Sequence, residues 1–271
     1  MERIIKELND LTYLDWTRTR HSSGTAGSFL KSYEKIGGDK FYYKLSNFDV
    51  RDGIIGHECV NEIIAGRLLS VMGINHLEYE LVHAQVLVRG VKYETYLCRS
   101  RDFKRKGESK IALDALYDME HLPGENPMDF CIRAGWGNFI YEMLAFDFII
   151  LNRDRHGANI EILKNGRDRK FYPAPLFDHG LSMLLTSQLP DPLEDKRVQS
   201  FVGGGSALEN LALIPGKKMP SFPGFDDQLK KIVFDGMDDI MGDGWVEAAW
   251  NFLRRRAEKY EDIRNKRQYD R

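Results

Sequence analysis

Cysteine is scarce in this sequence, with only Cys59, Cys98 and Cys131 among its 271 residues. The three are odd in number and lie more than thirty residues apart, which fits neither a disulfide framework nor the close ligand spacing of a structural zinc site. No other histidine or cysteine spacing indicates zinc. We therefore expect a protein of a reducing compartment, the cytoplasm.

Long hydrophobic runs and an excess of one charge sign are also missing. The first seven residues are partly charged, unlike the apolar core of a signal peptide, and the apolar stretch 143–151 contains Asp147 and is too short to cross a bilayer. Thirty-nine basic and forty-one acidic side chains give a net charge of −2, which excludes the strongly basic character of a dedicated nucleic-acid binder. We expect neither membrane insertion nor direct DNA binding.

The composition and the length are those of a folded enzyme. Hydrophobic residues make up 42% and charged residues 30%, and 271 residues lie near the length at which one core begins to divide into lobes. Patterns in residues 1–100 indicate mostly β-structure with one helix, and those in 101–271 indicate mainly helices. We therefore expect an α+β protein with a β-rich N-lobe over 1–100 and a helical C-lobe over 101–271.

Hydrophobic periodicity predicts most of the N-terminal elements. Apolar residues recur at helical spacing from His57 to Met72, and Gly73 follows as a stop signal. Residues 1–20 are compatible with a short helix, and the stretch 21–31, rich in Ser, Thr and Gly, indicates a loop. Short runs with aromatic and β-branched residues predict strands at 41–45, 79–83, 85–88 and 93–97.

In the second part of the chain, the apolar segment 137–150 predicts a buried helix. A glycine-rich stretch at 199–208 is either an activation-type loop or a simple connection. A last helix is predicted over 246–260, with an exposed basic face at Arg254, Arg255 and Arg256.

Two short motifs carry the chemistry. Asp154 and Asn159 have the spacing of a kinase catalytic loop, in which the Asp accepts the proton of the acceptor hydroxyl and the Asn binds a metal. Asp178 begins an Asp-His-Gly sequence similar to the Asp-Phe-Gly motif, whose Asp binds Mg²⁺. Each motif alone is typical of a capped turn. Strands predicted at 160–163 and 171–177, joined by an Asn-Gly turn, would place Asn159 and Asp178 at the two ends of one hairpin.

Lys44 and Glu62 occur in the order of the lysine–glutamate pair of kinases. Lys44 lies in a predicted strand, where an ammonium group can contact phosphates, and Glu62 lies on the following helix. Glu58, one helical turn earlier, competes for the same role. Taken singly, a strand lysine and a helix glutamate are usually just solvated.

Further candidate nucleotide-binding residues lie in a loop and at a predicted hinge between the lobes, near Leu97 and Arg99. His156 either stabilises the catalytic loop or acts near the γ-phosphate. The stretch 22–28 can donate hydrogen bonds to phosphates, and its candidate residues are Ser23, Gly24, Thr25, Gly27 and Ser28. An ordinary turn has the same composition. A basic run follows the hinge and consists of Arg99, Arg101, Lys104, Arg105, Lys106 and Lys110. It is either a solvated loop or a surface that binds an acidic or RNA-bearing partner.

Together these motifs resemble the HipA-like serine/threonine kinase family, which is related in fold to protein kinases and phosphatidylinositol kinases. The resemblance implies a two-lobed protein-kinase-like fold in which Lys44 binds ATP, Asp154 is catalytic, and Asn159 and Asp178 bind Mg²⁺. It extends from about Ser22 to the C-terminal helices and is carried by Asn152-Arg153-Asp154-Arg155-His156 through Asn159, by Pro173-Ala174-Pro175-Leu176-Phe177-Asp178 and by Leu181-Ser182, with support from Tyr43-Lys44-Leu45 and Asn61-Glu62.

The resemblance also implies a protein substrate with a serine or threonine acceptor and an antitoxin-like or regulatory protein partner. Because the chain is shorter than the full-length toxins of that family, we expect a compact kinase core. A serine in the phosphate loop of the family can be autophosphorylated, which inactivates the enzyme, and the corresponding positions here are Ser22, Ser23, Thr25 and Ser28. Two rival functions stay open: a small-molecule or lipid kinase, and a nucleotide-binding regulatory module without turnover.

Overall fold

The computed structural model describes residues 3–19, 26–167, 169–183 and 197–269, and for residues 18, 19, 26–28 and 269 it describes the backbone alone. Within these ranges the chain forms thirteen β-strands: Arg3–Leu11 (β1), Thr17–Thr19 (β2), Ala26–Ile36 (β3), Asp39–Lys44 (β4), Phe48–Asp49 (β5), Gly53–Ile54 (β6), Tyr79–Val88 (β7), Val91–Arg101 (β8), Glu108–Ala112 (β9), Asp154–Arg155 (β10), Glu161–Asn165 (β11), Phe171–Pro173 (β12) and Gln199–Ser200 (β13). The same ranges contain seven α-helices: Glu58–Met72 (α1), Leu113–Glu120 (α2), Pro127–Arg133 (α3), Gly137–Ile150 (α4), Ala207–Ala212 (α5), Asp227–Phe234 (α6) and Trp245–Tyr269 (α7).

The largest sheet has six strands in the order β1-β7-β8-β4-β3-β2. Its neighbouring strands run antiparallel, except that β1 runs parallel to β7. Arg89 and Gly90, with φ angles of 52° and 82°, form the tight turn between β7 and β8, as a two-residue hairpin requires. Strand β4 lies between β3 and β8, and its last residue, Lys44, is opposite Cys98.

Helix α1 joins this sheet to the rest of the molecule. It contacts β7, β8 and α6, and apolar side chains such as Ile63, Ile64 and Leu68 are fully buried. The helix ends at Gly73, whose φ of 72° is in the left-handed region that glycine adopts without strain. A second cluster, which includes Leu45, Val86 and Leu97, covers the other face of the sheet.

Helix α4 is the centre of the helical part. It contacts α3, α5 and α7, and its apolar side chains are buried on several sides, which explains the mostly hydrophobic sequence. Leu151, with a φ of 52°, ends the helix in a left-handed conformation and turns the chain into the 152–159 loop. Strands β11 and β12 follow this loop and form a small antiparallel sheet with β9.

The architecture is α+β and two-lobed, and many predicted elements are confirmed, among them α1, α4, the β7–β8 hairpin and the β11–β12 hairpin. The predicted helix in residues 1–20 is wrong, because β1 pairs with β7 from a distant part of the sequence. The predicted loop 21–31 is wrong from Ala26 onward, where β3 pairs along β4. No helix within the described residues is both long and apolar enough to span a bilayer.

The exposed basic face predicted on α7 is wrong at Arg256. Arg254 and Arg255 are exposed, whereas Arg256 is buried. Its Nε donates a 2.7 Å hydrogen bond to the Phe148 carbonyl oxygen, and its guanidinium lies over the Phe148 ring. Arg256 therefore joins α7 to α4.

Candidate active site

Lys44, Glu62 and Asp178 meet in a buried ionic cluster. The Lys44 Nζ lies 2.9 Å from Glu62 Oε1 and 2.5 Å from Asp178 Oδ1. Burial disfavours the charge on Lys44, but Asp178 and Glu62 outweigh this effect and raise its pKa well above the ordinary value. The ammonium group is therefore held in its charged form at the end of β4.

Glu62, and not Glu58, contacts Lys44 in the structure. Glu62 is fully buried, and its second oxygen accepts a 2.8 Å hydrogen bond from the backbone N–H of His179. Glu58 Oε2 instead accepts a 3.1 Å hydrogen bond from the backbone N–H of Asn47. Helix α1 thus connects Lys44 to the Asp178 segment through Glu62.

The Asp178 segment packs tightly against α1. Asp178 has a φ of 61°, which non-glycine residues adopt rarely and Asp tolerates better than most. A Cβ on Gly180 would lie 3.1 Å from Glu58 Cβ and 3.2 Å from Glu62 Oε1, so the glycine permits this approach. The Asn61 side chain donates hydrogen bonds to the carbonyl oxygens of Gly180 and Ser182, at 3.0 and 2.8 Å.

The catalytic-loop candidates Asp154, Asn159 and His156 also lie together. Asn159 Nδ2 donates to the Asp154 carbonyl oxygen at 2.8 Å and to its carboxylate Oδ2 at 3.3 Å. His156 Nε2 lies 3.4 Å from the other carboxylate oxygen of Asp154. The short helix Gly157–Asn159 follows His156. It is closely packed, because a Cβ added to Gly157 would lie 2.5 Å from the Cβ of Asp114.

Asp147 and Arg155 hold both motifs in place, and the sequence reasoning missed them. Arg155 is buried and forms a two-point ion pair with Asp147 of α4, at 2.8 and 3.0 Å. Its Nη1 donates to the carbonyl oxygens of Asn159 and Phe177, at 3.2 and 2.7 Å. One guanidinium thus fixes the backbone at Asn159 and immediately before Asp178. A carboxylate within the apolar run 143–151 was the signal available in the sequence.

Asn159 and Asp178 offer oxygen ligands of the kind that Mg²⁺ prefers. The amide nitrogen of Asn159 faces Asp154, which directs its carbonyl oxygen Oδ1 the other way. The described residues contain no group of three or more His, Cys, Asp or Glu side chains that could hold a metal. Mg²⁺ takes few protein ligands and completes its shell with water and phosphate, so oxygen ligands from two residues suit it.

Comparison with solved structures adds a fold assignment to this geometry. The crystal structure of the Helicobacter pylori proinflammatory kinase CtkA is similar with a TM-score of 0.62, covering 96% of this chain and 97% of that chain at 14% identity. HipA, from the Shewanella oneidensis MR-1 toxin–antitoxin complex of HipA, HipB and operator DNA, is similar with a TM-score of 0.51. The match covers 92% of this chain and 68% of that chain at 14% identity. The chain has a HipA-like kinase fold. No family model and no curated protein sequence matches it.

Within this HipA-like fold, a cleft of about 140 Å³ opens beside Lys44 and Asp178. Its walls come from the six-stranded sheet and from the segments around β9, β11 and Asp178, and include Leu77, Tyr79, Cys98, Ser100, Phe103 and Phe177. Flat apolar side chains beside a buried cation suit a ligand with an aromatic ring and an anionic group.

The predicted hinge residues Leu97 and Arg99 do not line this cleft with their side chains. Lys44 is opposite Cys98, and alternate residues of a strand face opposite sides of the sheet. Leu97 is therefore buried in the cluster on the other face, and Arg99 pairs with Glu80 through a 2.7 Å hydrogen bond. The structure does not bring these two side chains to Lys44.

The predicted phosphate loop lies mostly outside the described residues. Ser23, Gly24 and Thr25 are in that part of the chain, together with Ser22. Gly27 and Ser28 belong to β3, which pairs with β4, the strand that ends at Lys44.

Proposed function

We propose that this protein is an ATP- and Mg²⁺-dependent kinase that transfers the γ-phosphate of ATP to a serine or threonine hydroxyl of a protein. The observation that carries the proposal is the buried contact of Lys44 with both Glu62 and Asp178, next to the Asp154–Asn159 hydrogen bonds. A buried cation, two oxygen ligands and an accessible carboxylate are what phosphoryl transfer requires of a protein.

Each residue has a separate task in this proposal. The adenine ring occupies the cleft between Tyr79 and Phe177, and Lys44 contacts the α- and β-phosphate oxygens. Asn159 and Asp178 would hold Mg²⁺, which would supply positive charge against the phosphates. The contact of Lys44 with Glu62 keeps the ammonium group charged independently of Asp178.

Asp154 acts on the acceptor. Its carboxylate orients the incoming hydroxyl and takes its proton, while the acceptor oxygen bonds to the γ-phosphorus and the bond to the bridging oxygen breaks, releasing ADP. His156 and Asn159 fix the carboxylate from either side, at 3.4 and 3.3 Å. His156 therefore has a positioning role in this mechanism.

The cellular setting belongs to the proposal as well. The three cysteines are free and buried, which suits a reducing cytoplasm where ATP is abundant. The HipA structure contains HipB, so we include an antitoxin-like or regulatory protein partner in the proposal.

Alanine substitutions test the assignment. We expect Asp154→Ala and Asp178→Ala each to lower Mg²⁺-dependent phosphoryl transfer by about 100-fold or more, since each removes a group that acts at the reacting atoms. Asp238→Ala, at an exposed carboxylate far along the chain, is the matched control and should leave the rate unchanged. The rate is measured as radiolabel transferred from [γ-³²P]ATP to protein.

Folding of each variant is checked by its thermal unfolding midpoint. If folded Asp178→Ala labels protein as fast as the unmodified enzyme does, the assignment of Asp178 is wrong. Label that enters lipids or small metabolites instead of protein would favour the rival small-molecule or lipid kinase.

A further inference from the structure

A second cavity, of about 960 Å³, opens beside Asp154. We call it the acceptor-side groove; residues of its wall include Arg153, Leu181, Arg197, Gln199 and Glu209. Lys44 and Asp178 do not line it, whereas they do line the cleft described above. Asp154 therefore faces a space separate from the proposed nucleotide site.

The wall of the groove is held by backbone hydrogen bonds on both sides of Arg153. The Arg153 N–H donates to the Leu181 carbonyl oxygen at 3.0 Å, and its carbonyl oxygen accepts from the Gln199 N–H at 2.9 Å. Strand β13 continues this pairing beside Asp154. The backbone that carries the Arg153 side chain is thus fixed against two other segments.

Among the residues that the structure describes, no carboxylate forms an ion pair with either arginine of the groove, Arg153 or Arg197. Arg153 is half-buried, and burial lowers its pKa while Glu58 opposes this from a distance. Glu209, the other acid of the groove besides Asp154, accepts a 2.7 Å hydrogen bond from the Gly205 N–H.

A half-buried guanidinium without a counter-ion loses hydration and gains little in return, so a ligand carboxylate beside it would be favourable. The exposed Arg197 lines the same groove as Arg153 and Asp154, so acidic side chains of a ligand could pair with both arginines while a neighbouring group reaches Asp154. Only two cations are involved and the net charge is −2, which does not suit a nucleic acid.

We propose that the acceptor-side groove binds a polypeptide and selects serine or threonine residues flanked by acidic side chains, which pair with Arg153 and Arg197. This inference rests on the proposed kinase function, which it extends to a substrate class. Arg153 and Arg197 determine specificity and take no part in the transfer of the phosphate.

The test uses three synthetic 11-residue peptides with one central serine, flanked by Asp, by Asn or by Lys. We expect the purified enzyme to phosphorylate the Asp peptide with a kcat/KM about tenfold higher than the Asn peptide. Arg153→Gln and Arg197→Gln should each reduce this ratio, and the double charge reversal Arg153→Glu with Arg197→Glu should favour the Lys peptide. Arg255→Gln, at an exposed arginine of α7, is the matched control and should keep the ratio.

Binding of fluorescein-labelled peptides, measured by fluorescence polarisation, tests the groove separately from the transfer step. Stronger binding of the Asp peptide, lost in Arg153→Gln and Arg197→Gln but kept in Arg255→Gln, supports the groove even if no peptide is phosphorylated. Absence of transfer to all peptides and proteins would contradict the proposed function. Equal binding and equal kcat/KM for the Asp and Asn peptides, or ratios unchanged by the charge reversal, would overturn the groove assignment alone.

Discussion

Lys44 keeps its positive charge in a nearly dry position because two carboxylates contact it. Burial alone would lower the pKa of a lysine, whereas here Asp178 and Glu62 raise the pKa of Lys44 above its ordinary value. A charged lysine at the end of a strand is available to bind phosphate oxygens at any physiological pH. The sequence indicated Lys44 and Glu62 by their order, with Glu58 as a competitor for the role of Glu62. The side chains of the two glutamates leave α1 in different directions, and only this difference shows that Glu62 contacts Lys44.

His179 is a second buried titratable residue in the same place. Burial lowers its pKa well below the ordinary value, and the charge of Arg155 acts in the same direction, so the ring is neutral. The ring packs edge-on against Phe146, and among the described residues its Nε2 has no hydrogen-bond partner. This residue stands where the related kinase motif has phenylalanine, and its surroundings are apolar on the Phe146 side.

We therefore predict that His179→Phe removes part of the acid sensitivity of folding. In the unmodified protein the unfolded state binds a proton at His179 below about pH 6.5, while the folded state does not, so stability falls as the pH decreases. This one group contributes up to about 1.4 kcal/mol per pH unit. Urea unfolding of both proteins at pH 7 and pH 5 measures this contribution to the free energy of unfolding. The prediction fails if the two proteins lose the same free energy of unfolding between these pH values.

At the scale of elements, α4 does more than fill the core. Its Asp147 pairs with Arg155, and Arg155 in turn fixes the backbone at Asn159 and Phe177. The sequence showed Asp147 only as a charge that interrupts an apolar run. Its role depends on a pairing with the 152–159 loop, and no short stretch of sequence shows that pairing.

Asp147→Asn should therefore destabilise the protein strongly. The substitution leaves the buried guanidinium of Arg155 without its counter-charge, which costs about 3 kcal/mol or more in free energy of unfolding. Glu142→Gln removes a half-buried carboxylate from the same helix, whose pKa is raised by burial, and should change stability by less than about 0.5 kcal/mol. Urea unfolding compares the two variants. An unchanged urea midpoint for Asp147→Asn would contradict the anchoring role.

Elements with strong local signals could be predicted, and elements defined by distant pairing could not. The apolar helix α4, the capped helix α1 and the hairpin at Asn165-Gly166 each have their signal within a short stretch. Strand β1 has mixed polarity and is a strand because β7 supplies its hydrogen bonds. Propensity alone allowed a helix there.

At the scale of the whole molecule, the candidate residues lie between two openings. The cleft beside Lys44 and the acceptor-side groove beside Asp154 are separate spaces, and Asp154 is hydrogen-bonded to Asn159. The motifs and their spacing indicated Lys44, Asp154, Asn159 and Asp178 as candidates. Neither the groove nor its arginines could be read from the sequence, because segments far apart in the chain form its walls.

In the proposed function, this centre transfers the γ-phosphate of ATP to protein hydroxyl groups. The most direct measurement incubates the purified protein and a protein mixture with Mg²⁺ and either [γ-³²P]ATP or [α-³²P]ATP, followed by phosphoamino acid analysis. We predict label in phosphoserine or phosphothreonine from the γ-labelled nucleotide only, and none when EDTA removes Mg²⁺. Binding of ATP with no label in any phosphoamino acid would contradict the claim and favour a nucleotide-binding regulatory module.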